Sequence, residues 1–131
     1  SVERQCERVR AIVPKLRLER RKCKIAIIEE EKVLHALEIM LQDKNSARVQ
    51  AEKDLRQSEA GNSSFVDSAV FLGVTTRYTV DEFKTNVDAY IKQLDVIKAA
   101  IEFEAKNSKI RISNHNDRIK EVSTHQRFLS N

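Results

Sequence analysis

Turn-forming residues are nearly absent from this chain of 131 residues, which has two glycines and one proline. Tryptophan is missing, and aromatic residues make up only 5%. All-β and βαβ domains need frequent turns, and turns consume Gly and Pro, so this composition argues against both. No apolar run approaches membrane-spanning length. The basic start is not followed by the uninterrupted apolar stretch of a secretory signal. The expected protein is therefore neither transmembrane nor secreted, and resides in the cytoplasm or nucleus. Its cysteines, Cys6 and Cys23, lie seventeen residues apart. A helix would hold them about 25 Å apart, too far for a disulfide. Both read as small buried apolar groups of a reducing compartment.

Chemistry-bearing patterns are equally scarce. His35, His115 and His125 are scattered, and His115 and Asp117 sit two apart, facing different directions on a helix. Glu31 precedes His35 by four residues, whereas di-metal bundles use Glu-x-x-His. Zinc-ligand spacing and phosphate-cradling glycine loops are both lacking. Asn62-Ser63-Ser64 matches the glycosylation pattern, which is common by chance. The expectation is no enzyme, no cofactor, no metal and no small-molecule substrate.

What the chain has is charge and a seven-residue step. Asp, Glu, Lys and Arg make up 34% of it. One line of positions runs Cys6, Val13, Arg20, Ile27, Leu34, Leu41, Arg48 and Leu55. Three residues later runs its partner line: Val9, Leu16, Cys23, Glu30, Leu37, Lys44, Ala51 and Ser58. This is the a/d signature of a coiled-coil seam, with Arg20, Glu30, Lys44 and Arg48 putting charge on it. Pro14 predicts a break or kink, with a short basic helix before it and a long helix over 14–60. A connector follows over 61–78, with a short helix at 64–72 capped by Ser64 and closed by Gly73. Val74 to Thr79 reads as extended but without a pairing partner. Phe65, Phe71 and Phe83 are expected to form a packed plug there, with Tyr78 exposed and Tyr90 on the seam.

Thr79-Val80-Asp81-Glu82 is a capping-box start for a second long helix over 79–128. Its apolar line is Val87, Leu94 and Ile101, shifting past Glu104 to Ala105, Ile112 and Ile119. Two striped helices of matched length, about 70 Å each, predict an all-α fold. It would be a long antiparallel helical hairpin or coiled coil, one elongated domain over 1–131. Additional apolar residues such as Ile28, Val33, Met40, Ile91, Ala99, Ala100 and Phe103 would stay wet in a lone hairpin. Dimerisation or a partner's helices would then complete a four-helix bundle.

Charge is polarised along the chain. Residues 1–24 carry nine Lys/Arg against three Asp/Glu, and residues 105–131 carry six against two. Residues 25–104 carry nine against fifteen. Folding back the chain gathers both basic segments at one pole, a field suited to an acidic partner. The expected function is a non-enzymatic scaffold or oligomerisation module mediating protein–protein interaction. Leu34, Leu37, Leu41, Leu94, Ile97 and Ile101 are the candidates for self-association. Arg17, Arg20, Arg21, Lys24, Lys109, Arg111, Arg118 and Lys120 form the candidate basic pole. A polyanion-binding helical module contacting nucleic acid or anionic membrane is the alternative. It ranks lower because stacking aromatics and a groove-reading face are missing.

Overall fold

The computed structural model describes residues 1–61 and 63–130. Asn62 of the glycosylation pattern lies outside the described residues. Helix α1 spans Val2–Ala60 and helix α2 spans Val80–Ser130; strands β1, Phe65–Ser68, and β2, Thr76–Thr79, form an antiparallel hairpin between them. The fold is thus a long helical hairpin with a small β insert. The helices are antiparallel: Arg118 reaches back to Glu19, Arg111 to Glu30 and Arg48 to Asp95.

Three expectations about elements need correction. Pro14 neither breaks α1 nor starts it, because the helix runs through it from Val2. A mid-helix proline leaves the carbonyl four residues earlier unbonded. The following residues through Ala60 outweigh that local loss by packing their stripe against α2. Secondly, the short helix at 64–72 does not form, because Phe65–Ser68 is a strand. Thirdly, the extended residues before α2 do have a partner: Phe65 pairs with Thr79 and Ser68 with Thr76. Strand alternation explains the choice, since it turns Val66 and Ser68 inward and Phe65 and Asp67 outward. A helical turn would have scattered them.

Chain contacts define two compact units, Ser1–Ala36 with Ala105–Asn131, and Leu37–Glu104. The Leu37–Glu104 unit has a core of Ala51, Val66, Phe83 and Val87. Phe71, Tyr78 and Tyr90 pack around it. Phe71 lies 5.4 Å from Phe83, 5.3 Å from Tyr90 and 5.8 Å from Tyr78, the last two edge-on. Offset and edge-on rings suit the aromatic quadrupole. Tyr78 is therefore half-buried rather than exposed. Phe65 stays out of this plug and lies under the Arg77 guanidinium, 5.8 Å from the ring centroid. Ala51 is fully buried because only a small residue lets α1 approach the rings.

The β insert is held by polar contacts on both faces. Ser68 donates to Asp54 of α1 at 2.8 Å. Arg77 donates to both oxygens of Asp67 directly across the hairpin, at 2.9 and 3.2 Å. Gly73 takes φ 74°, which favours glycine, and its N–H donates to the Ala69 carbonyl at 2.9 Å. It thus closes a turn, not a helix. The capping box is present: the Thr79 N–H donates to Glu82 and the Glu82 N–H to Thr79 Oγ1, both at 3.2 Å. Ser64, expected as a cap, instead accepts the Val80 N–H at its carbonyl.

In the other unit, Leu16, Cys23, Ser108 and Val122 are buried. Of the two α1 lines read from the sequence, every member except Cys6 is buried or half-buried. Cys6 is an exposed thiol, contrary to expectation, whereas Cys23 is buried.

Candidate interaction surfaces

The seam of the unit formed by Ser1–Ala36 with Ala105–Asn131 contains a polar layer. Ser108 is 0% exposed, although the apolar line was expected to leave that position. Its hydroxyl donates to Glu30 Oε2 at 2.8 Å, and Arg111 grips both Glu30 oxygens, through Nε at 2.7 Å and Nη2 at 3.3 Å. A carboxylate on the seam is tolerable because its lone pairs are filled. The Arg111 bond, the Ser108 bond and, more weakly, the charges of Arg111 and His115 hold the Glu30 carboxyl below its usual range against desolvation. The apolar reading missed Ser108 because it followed hydrophobicity. Holding the seven-residue step from Ile101 leads to Ser108, half-buried His115 and buried Val122.

The basic candidates divide by whether the fold already uses them. Arg118 donates to Glu19 at 2.6 Å and to Glu121 at 2.9 Å, which raises its own pKa and lowers that of Glu19 through the shared bond. Arg111 belongs to Glu30. Arg20 is half-buried on the seam flank. Arg17, Arg21, Lys24, Lys109 and Lys120 are exposed and enter no ion pair among the described residues. These five are the exposed members of the candidate set that the fold leaves without an ion pair among the described residues.

Most self-association candidates are turned inward. Leu94 and Ile101 are buried, and Leu34, Leu37 and Leu41 are half-buried. Ile97 is exposed. The hairpin itself covers Leu94 and Ile101 and part of Leu34, Leu37 and Leu41. Other apolar residues remain on the surface. Leu18, Ile25 and Ile28 lie on α1, and Val96 and Phe103 on α2, the last two 72% and 66% exposed. Phe71, Leu72, Tyr78, Asn86, Ala89, Tyr90 and Gln93 line an open groove of about 440 Å³ in the Leu37–Glu104 unit.

Among the described residues, no group of three or more His, Cys, Asp or Glu could hold a metal ion. His35 and His125 are exposed. No described helix is long and apolar enough to cross a membrane. The molecule is thus of the helical-hairpin class, with ion-paired arginines on its seam and apolar side chains left on its outer faces. No protein-family model, curated protein or solved structure matches the chain.

Proposed function

We propose that this chain is a non-enzymatic helical scaffold that associates with protein, including copies of itself, through the outer faces of its helices. Its basic surface receives an acidic protein. The observation that carries this reading is the division of the arginines. Arg111 is matched by Glu30, Arg118 by Glu19 and Glu121, and Arg48 by Glu52 and Asp95. Arg17, Arg21 and Lys24 instead flank exposed Leu18 and Ile25 with no ion pair among the described residues. Apolar side chains of this size between unpaired cations favour contact with a surface carrying both apolar groups and carboxylates.

Binding to an acidic protein surface is tested by capturing binders on wild-type chain and on an Arg17→Glu/Arg21→Glu/Lys24→Glu variant, with and without nuclease. Acidic proteins retained by the wild type and lost by the variant, regardless of nuclease, support the reading. Retention that disappears with nuclease, and weakens steeply as salt rises, overturns it in favour of polyanion binding.

A further inference from the structure

We infer that one acidic partner of the basic α1 face is α2 of a second copy of this chain, docked antiparallel. The inference rests on the docking reading above and names its occupant. Along the outer face of α1, Arg10, Arg17 and Lys24 recur every seven residues, each followed directly by an apolar residue: Ala11, Leu18 and Ile25. Leu18 and Ile25 are 49% and 54% exposed, and about 20° apart around the helix. Along the outer face of α2, Asp88, Asp95 and Glu102 recur with the same step. Each is followed directly by Ala89, Val96 or Phe103. All three carboxylates are exposed; Asp95 also accepts Arg48 at 2.6 Å but keeps 56% of its side chain exposed.

Each face is thus a narrow apolar line with a charged ridge on one shoulder, and the two ridges have opposite sign. Both ridges lie on the same side of their line, one residue earlier in sequence. Antiparallel helices packed face to face bring shoulders of the same kind together, as in the flanking charge pairs of coiled coils. With Leu18 set against Val96, Arg17 faces Asp95, Lys24 faces Asp88 and Arg10 faces Glu102. Residues 8–28 hold eight Lys/Arg and a single carboxylate, Glu19, which is already bonded to Arg118. Lys92 is the one cation between Asp88 and Phe103 apart from half-buried Lys98. A lipid surface fits less well, because interfacial helices need a broad apolar face with aromatic anchors. A phosphate backbone would leave Leu18 and Ile25 facing hydrated anions without gain.

The contact joins two different faces, so its test is a charge swap. Wild-type chain should sediment as a concentration-dependent oligomer whose association weakens as salt rises. Arg10→Glu/Lys24→Glu and Asp88→Lys/Glu102→Lys should each weaken self-association by about tenfold or more, since like ridges then meet. Mixing the two variants one to one should restore association, because the swapped ridges are again opposite. Zero-length coupling of unmodified chain, mixed from light and heavy isotopes, should join Lys24 to Asp88 between copies. That measurement holds even if a variant misfolds.

A wild type that stays monomeric overturns the inference, while acidic binders can still be captured. A wild type that associates, with folded variants that associate equally well or fail to complement, also overturns it. Docking on other proteins would then stand alone.

Discussion

At the residue scale, Glu30 is the position where sequence and structure inform each other most. Its place on the seam was legible from the seven-residue step, as a charge where apolar residues surround it. Its partners were not, because Ser108 and Arg111 lie far along the chain and only folding brings them together. Arg111 and Ser108 bond the ionised form and hold its pKa below the usual 4.5. Arg118 does the same for Glu19, and Arg77 for Asp67, whose usual value is 3.8. A depressed folded pKa means that the unfolded chain takes up protons first as pH falls. Stability from these groups is therefore complete above the ordinary carboxylate range and is lost as pH drops through the folded values. Urea midpoints should hold near neutrality and fall below about pH 4.5. Glu30→Gln should be less stable at neutral pH and show a shallower acid slope. An unchanged slope in that variant would remove Glu30 from the account.

At the element scale, the helices were legible because hydrophobic periodicity persists over many turns, and the Thr79–Glu82 cap was legible because it is local chemistry. The connector was misread for a related reason. Phe65–Ser68 is too short for periodicity to distinguish strand from helix, and its partner, Thr76–Thr79, lies across a loop. Pro14 illustrates the opposite error, in which a strong local signal lost to packing. Leu16 and Cys23, soon after it, are buried in the unit formed by Ser1–Ala36 with Ala105–Asn131. Breaking α1 there would disturb that register. Keeping the helix continuous leaves the mid-helix proline unfavourable by about 3 kcal/mol relative to alanine. Pro14→Ala should raise stability by up to about that amount, with slower amide exchange in residues 8–20. Unchanged exchange there would show that the proline is accommodated without local loss.

At the scale of the whole molecule, the two units differ in how they are held. The Leu37–Glu104 unit closes around Phe83, fully buried under Phe71 and Tyr78. The other unit has fewer large buried side chains and relies on the Glu30 layer and the Arg118–Glu19 bond. Side-chain ion pairs with this much exposure contribute little compared with buried aromatic area. Amides of 37–104 should therefore outlast those of 1–36 and 105–130 in hydrogen exchange, and uniform protection would contradict that ranking. The chain's own order of residues determined the two long helices, the seam positions, the second-helix cap and the polarised charge. All of these follow from period or from neighbours within a turn. Only the tertiary structure decided which stripe faces inward, which arginines are already matched, and that the connector pairs as strands. Each of those depends on contacts between residues distant in sequence, where burial and hydrogen bonding choose among several locally acceptable arrangements.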